Sequence, residues 1–513
     1  MNKKISGIIN LIIPTLVLGA VTGILTSIIV NIYKYAAKHI IHFSEKAYCY
    51  ISSEPVWALA VLVLMAVVAF VMSIVYKKHP DLKGGGIPAS IAALRGISKI
   101  KWLVDLVGVF VLSLVSFLFG IPLGNEGPSV QMGCAVGNGV SKLWSKNHRA
   151  WERYSMTGGS CAGFSVATGA AVSGVVFAIE EAHRRISPMI LAAATASVFF
   201  ASVTTEILAP ILGISRSLFP EMELPVLDLK SIWIPVSVAV FLGLFAVVFL
   251  KLYSMLNHFY NKKLSKIPAM YKIFAVFAVT LIVGMFSANC ISTGHELALH
   301  MLDESMPLVT LVIILFVRSM LTLSAGSNGI TGGTFLPLLA IGITAAGSVA
   351  NIAINVFGAD VSCYRIILVL GLVGCISAMM KMPLTAVVFA AEALGCVNNM
   401  AYVILVALIS YIITEVFSAK SINDTVVEQR EEKLLESIDS VVELSMTVKE
   451  RSFAAGREIS DILWPYGLVV LSVHHESAHG GSVLSVGDAV SIRCATPDES
   501  VLIAELEDIL GTQ

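Results

Sequence analysis

Glu126 stands in the run Gly124-Asn125-Glu126-Gly127-Pro128-Ser129, with apolar sequence on both sides. An ionisable group inside an apolar segment is costly to keep, and in a membrane such groups are functional by default. At a helix start a carboxylate has a specific chemistry open to it. Ionised, it occupies the place where free N–H groups would hold an anion; protonated, it leaves. Glu126 is therefore read as gate and proton carrier in one residue. Glu180 and Glu181 close the stretch Ser173–Ile179 just ahead of His183-Arg184-Arg185. They offer a second proton site, passing protons between the cytoplasm and Glu126. Boundary acids paired with nearby arginines would account for the same residues without transport.

The elements that must position these acids are interrupted helices. Lys83-Gly84-Gly85-Gly86-Ile87-Pro88, Gly124–Ser129 and Gly326–Pro337 each run from glycines through a proline into an apolar segment. Proline is accommodated in the first helical turn, so each break reads as a helix beginning inside the membrane. The first turn presents free N–H groups and partial positive charge, which suits an anion. Three such ends would hold an anion without burying a full positive charge. Glycines used only for close helix packing are the plainer alternative for any single break.

The breaks recur with an internal repeat. Ser173-Gly174-Val175-Val176-Phe177-Ala178-Ile179-Glu180-Glu181 reappears as Thr385-Ala386-Val387-Val388-Phe389-Ala390-Ala391-Glu392-Ala393, each downstream of a glycine-rich break. Binding elements are expected at matching places in the two halves, and Glu392 is read as structural. The residues alone do not say whether the halves run parallel or inverted.

Composition sets the class. Of 513 residues 56% are hydrophobic and 13% charged, with mean hydropathy +0.84; soluble chains carry about 25% charged residues. Apolar stretches long enough to cross roughly 30 Å recur at Ile8–Val30, Val56–Val75, Ile232–Phe249, Ile273–Ala288 and Ala401–Ile413. The net charge of −1 argues for no polyanionic partner, and no basic stripe for nucleic acid is present. The eight cysteines stand singly, without metal spacing, and no cofactor is called for. Gly294-His295-Glu296-Leu297-Ala298-Leu299-His300 imitates a zinc-protease motif, but its histidines are five apart and cannot share a helix face, so no enzyme is expected. Met1-Asn2-Lys3-Lys4 reads as the cytoplasmic end of a retained first helix. Lys77-Lys78, Arg95–Lys101 and Lys262-Lys263 prefer the same side.

In order along the chain, Gly84–Pro88, Gly124–Pro128, Gly332–Pro337 and Lys381-Met382-Pro383-Leu384-Thr385 resemble the signatures of the CLC chloride channel and transporter family, over nearly all of the first 420 residues. The resemblance implies an all-α polytopic membrane protein with inverted repeats of broken helices, assembled as a homodimer in a bacterial cell membrane. It makes Glu126 the gating glutamate and Glu181 the internal proton glutamate of a proton-coupled antiporter. Gly84, Gly85, Gly86, Gly127, Thr334, Phe335 and Asn423 become the anion-binding positions. The departures are Gly85 for the family serine, Asn125 for the arginine of G-R-E-G-P and Asn423 for the inner tyrosine. Chloride with protons is the expected pair of substrates, with fluoride or uncoupled chloride conduction as alternatives.

From Ser421 the character changes to charged and soluble. Residues 421–439 read as a linker helix, and 440–513 as a small α+β cytosolic domain. Strands are expected at Val441–Leu444, Leu468–Val473 and Ala489–Cys494, a short helix near Glu458–Leu463, and a last helix over Pro497–Leu510. This tail resembles the C-terminal regulatory (TrkA-C type) domain of potassium-uptake gating proteins, which implies dimerisation and cyclic di-AMP as the leading regulatory ligand. His474, His475 and His479 are read as solvated loop residues.

Overall fold

The computed structural model describes residues 3–144, 148–220, 222–438, 440–474 and 476–511. Met1, Asn2 and His475 lie outside the described residues. Helices α1 (Lys3–Ser53), α2 (Trp57–Lys78), α3 (Ile87–Leu94), α4 (Trp102–Leu118), α5 (Glu126–Trp144), α6 (His148–Thr168), α7 (Ala171–Phe177) and α8 (Pro188–Leu212) form the first half. The second comprises α9 (Trp233–His258), α10 (Ala269–Phe286), α11 (His295–Asp303), α12 (Leu308–Ser327), α13 (Phe335–Asn355), α14 (Tyr364–Met379), α15 (Pro383–Ala393) and α16 (Met400–Val416). Among the described residues, 9 candidate spans are long and apolar enough to cross a membrane. This is a multi-pass membrane protein. Every apolar stretch named from the sequence lies largely within one of these helices.

The three helix starts fall where the breaks required them: α3 begins at Ile87, α5 at Glu126 and α13 at Phe335. Most of α5, α13 and α14 is buried within the protein. Broken backbone at this depth survives because protein satisfies it.

Two reciprocal contacts fix the relation of the halves. Glu180, just beyond the end of α7, accepts from the amides of Leu384 and Thr385 at the start of α15 (both 2.7 Å). Glu392, near the end of α15, accepts from the amides of Val172 and Ser173 at the start of α7 (3.0 and 3.1 Å). The end of each helix meets the beginning of the other, so the repeat helices are antiparallel and the halves inverted. Gly124 and Gly333 exchange both backbone hydrogen bonds (2.6 and 2.7 Å) in the same reciprocal manner.

Helix α17 (Ile422–Glu436) occupies the expected linker segment, and its first turns are packed against the membrane part. Its Ser421 cap accepts from the Asp424 amide, and Ile422, Asn423, Thr425 and Val427 are buried. Beyond it, β1 (Ser440–Thr447), β2 (Arg457–Glu458), β3 (Leu468–Val473), β4 (Glu476–Ser477), β5 (Val483–Leu484) and β6 (Ala489–Thr496) precede α18 (Glu499–Leu510). The main sheet is antiparallel in the order β1-β6-β3-β4. Only a 3₁₀ turn, Ile459–Asp461, stands where the short helix was expected. His474 is exposed and its Nε2 lies 2.7 Å from Asp488.

The tail is bonded to the membrane part. Tyr154 Oη donates to the Asp461 carbonyl (2.6 Å) and accepts from the Leu463 amide (3.0 Å). Arg153 donates to the Leu463 carbonyl, and Arg185 to that of Ile462 (3.3 Å). The Arg457 guanidinium lies 3.4 Å from the Phe453 ring centroid and 5.7 Å from that of Trp151. Burial lowers Arg457 from the usual arginine range to about 10.

Candidate functional site: three helix starts and two vestibules

Glycine is obligatory where the breaks meet. Gly86 has φ 78°, and a β-carbon there would run into the Gly127 carbonyl; one at Gly127 would run into that of Gly85. L-residues avoid that φ, and no side chain fits between the two backbones. Gly84 donates to the Gly329 carbonyl (3.0 Å) and accepts from the Gly332 amide (3.3 Å), so the first break is stitched to the third. Tyr76 holds the third loop: its Oη lies 2.7 Å from Thr331 Oγ1 and accepts from the Thr331 amide at 2.9 Å. Ser116 Oγ donates to the Thr331 carbonyl (2.7 Å). Gly84, Gly85, Gly86, Glu126, Gly127, Thr334 and Phe335 are thereby brought together.

Glu126 is fully buried, and neither carboxylate oxygen has a hydrogen-bond partner among the described residues. Its own amide and that of Leu336, at the starts of α5 and α13, stand beside it without reaching hydrogen-bond geometry. A buried carboxylate without donors is expensive unless it is neutral or exchanges with something else.

Glu126 lies between two openings. A vestibule of about 440 Å³ on the face away from the tail is lined by its neighbour Asn125, by Leu336, and by Lys34, His295 and Glu296. The opposite vestibule, about 450 Å³, opens beside α17 and reaches Gly84, Gly85, Pro88 and Thr334. A cavity of about 10 Å³ adjoins the latter, sharing Thr334 and Ile422 with it, and is closed by Ile87, Phe335, Leu338, Met379, Met380 and Asn423. That volume is close to one water-sized particle.

The internal acids part company. The chain after α7 winds into one π-helical turn, Ala178–Ala182, whose extra residue widens the helix. Glu180 turns outward and spends its carboxylate on α15, with Thr385 Oγ1 as a third donor (2.6 Å). Glu181 turns inward, 1% exposed, and its Oε1 accepts from Asn423 Nδ2 at 2.9 Å. Its Oε2 lies 3.5 Å from Arg184, which is held to Asp424 at 2.6 Å. Asn423 therefore touches Glu181 and the small cavity at once.

Sequence reading missed several residues here. Lys34 donates to the carbonyls of Val166 (2.9 Å) and Ser215 (3.2 Å) at the vestibule wall. It was hidden because the run around it reads only as helix. His295, set aside with the false zinc motif, lines the same vestibule and donates through Nε2 to the Leu218 carbonyl (2.6 Å). Arg318 is entirely buried and bonded to the carbonyls of Asn289, Ile291 and Ser292. A lone arginine in the apolar run Leu308–Met320 was the available signal.

This architecture is that of a multi-pass membrane protein with a buried carboxylate between two vestibules. The chain belongs to the voltage gated chloride channel family, whose family model matches residues 65–415. The H(+)/Cl(-) exchange transporter ClcA of Vibrio vulnificus (strain YJ016) is 24% identical over 420 residues, covering 78% of this chain and 85% of the relative. That of Salmonella paratyphi B is 25% identical over 392 residues, 74% of this chain and 80% of the relative. The crystal structure of a slow cyanobacterial Cl−/H+ antiporter superposes with TM-score 0.73 at 22% identity, over 82% of this chain and 98% of that one. A CLC-type fluoride/proton antiporter gives TM-score 0.66 at 16% identity, over 80% and 97%. The curated relatives are transporters rather than enzymes.

Proposed function

We propose that this protein exchanges an inorganic anion, chloride first, for protons, with Glu126 as gate and Glu181 as the proton site on the tail side. The observation that carries the reading is the Glu126 carboxylate, fully buried without a donor where two helix starts face it. Ionised, it competes with an anion for those amides; protonated, it gives way. The anion passes Gly85, Thr334 and the cavity at Phe335 and Asn423, where backbone N–H groups and the Asn423 amide replace its water. The names of the curated relatives support chloride and protons as the substrates.

Gly85 and Asn125, which depart from the family pattern, keep fluoride as a second reading, and one solved neighbour is titled a fluoride/proton antiporter. Proteoliposomes loaded with chloride or with fluoride decide between them. Faster chloride efflux with linked proton uptake supports the first reading, and fluoride efflux with chloride excluded supports the second. Chloride flux without proton movement makes the protein a channel and returns Glu181 to a boundary acid.

The homodimer, the cytoplasmic placement of the tail and its TrkA-C-type regulatory role belong to the same proposal. Tyr154, Arg153 and Arg185 give the tail a route to the segment that carries Arg184 and Glu181. Calorimetric titration of the full chain with cyclic di-AMP tests the ligand; absence of saturable heat removes it.

A further inference from the structure

The vestibule on the tail side is lined by four cationic side chains, Lys83, Lys272, Arg430 and Lys433, and one carboxylate, Asp81. Lys83 enters it from the α2–α3 connection, Lys272 from the first turn of α10 and Lys433 from α17. Arg430 on the same wall is matched by Asp81 at 3.1 Å. No carboxylate lies within 4.0 Å of the other three ammonium groups among the described residues. All three ammonium groups line this one cavity, and burial, then the charges of Lys272 and Lys433, hold Lys83 below the ordinary lysine range. Like charges gathered in a cleft destabilise it until a counter-charge arrives.

Polar groups without partners line the same wall. Asn257 is 4% exposed; its Oδ1 accepts from Asn261 (2.5 Å), while its Nδ2 has no partner among the described residues. Ser327, 5% exposed, has an Oγ with no partner among the described residues. Buried polar atoms in this condition cost free energy unless a ligand or water meets them. The space is about 450 Å³, against the roughly 10–15 Å³ of the same measure that holds one water.

We propose that the tail-side vestibule is a binding site for a phosphate-bearing polyanion, held by Lys83, Lys272 and Lys433 with Asn257 and Ser327 as neutral partners. A monovalent anion would leave two ammonium charges unmatched. A phosphate monoester carries about −2 at neutral pH, so one or two such groups balance the three. Lysines serve as point-charge phosphate ligands without demanding a planar partner. Bound there, the polyanion stands over Gly84 and Gly85 and closes the pathway from the tail side; this consequence rests on the transport reading above, whereas the binding does not.

Inorganic pyrophosphate is the probe, titrated calorimetrically into the full chain in mild detergent at fixed ionic strength. Saturable binding is expected, weakened about tenfold or more in Lys83→Gln/Lys433→Gln and unchanged in Glu126→Gln. Thermal unfolding of each variant confirms that it is folded. Equal binding by the lysine variant, or no binding by the native chain, overturns the site. Pyrophosphate is also added to either side of proteoliposomes, with inhibition expected from the tail side alone. Binding without inhibition from that side overturns the blocking role. Binding in a chain that transports no anion leaves the site standing and removes the transport reading. Vesicles with and without anionic lipid separate the two sources of phosphate. Loss of pyrophosphate binding as anionic lipid is added assigns the site to a lipid headgroup, and retention assigns it to a soluble phosphate.

Discussion

Replacing Glu180 by alanine removes three hydrogen bonds from one carboxylate: those from the amides of Leu384 and Thr385 and from Thr385 Oγ1, all between 2.6 and 2.7 Å. A hydrogen bond to a charged group contributes about 1.5–3 kcal/mol. A carboxylate at a helix start adds ~0.3–1 kcal/mol. The three bonds share one acceptor and part of the site is exposed, so their contributions do not add in full. We expect a loss of about 3 kcal/mol, close to a 100-fold change in the folding equilibrium. Glu392→Ala removes the mirror-image bonds, which are longer at 3.0 to 3.2 Å, and is expected to cost about 2 kcal/mol. Glu181→Gln keeps an acceptor for Asn423 and is expected to change stability by less than about 1 kcal/mol while abolishing proton movement. The assay pairs denaturant unfolding in mixed micelles, followed by tryptophan fluorescence, with proton and anion flux in liposomes. Native stability in Glu180→Ala, or lost proton movement with its stability intact, would refute the division of labour between adjacent acids.

Other consequences are as specific. A β-carbon at Gly85 would meet its nearest neighbours at 3.7 Å, the Gly332 carbonyl and Pro88, so Gly85→Ser fits without displacement; its hydroxyl is expected to raise the chloride-to-fluoride flux ratio severalfold in competitive efflux. Gly86→Ala forces a side chain into the Gly127 carbonyl and into left-handed backbone costing roughly 1–2 kcal/mol by itself; expression with at least tenfold slower anion flux is expected. Tyr154→Phe deletes both bonds to the tail at Asp461 and Leu463, about 1 kcal/mol each; hydrogen exchange over residues 457–468 is expected to quicken while flux at saturating anion persists.

Much of this architecture was legible because membranes punish ambiguity. Gly84–Pro88, Gly124–Pro128 and Gly326–Pro337 break apolar runs where hydrocarbon tolerates no open backbone, so each had to be a buried helix start. The repeat located Glu180 opposite Glu392, yet its sense required the hydrogen bonds to Thr385 and Ser173. Which of two adjacent glutamates faces inward depended on a single π turn, Ala178–Ala182, that no spacing rule marks. Helix α17 was legible only in part, through Asn423 and its charged run. Its charges, Glu428 to Lys433, describe its outer part, whereas Ile422 and Asn423 in its first turn are buried and line the small cavity at Phe335. Lys83, Lys272 and Lys433 are far apart in sequence, and only the fold assembles them.

The central claim is that an anion gradient moves protons through Glu126. The direct measurement is proton uptake into liposomes holding the full chain, driven by outward chloride with the membrane potential clamped, in native protein and in Glu126→Gln. The account requires uphill proton movement in the native protein, and its loss in the variant while chloride still flows. Proton movement that survives Glu126→Gln, or chloride efflux from the native protein with no proton movement, would contradict it.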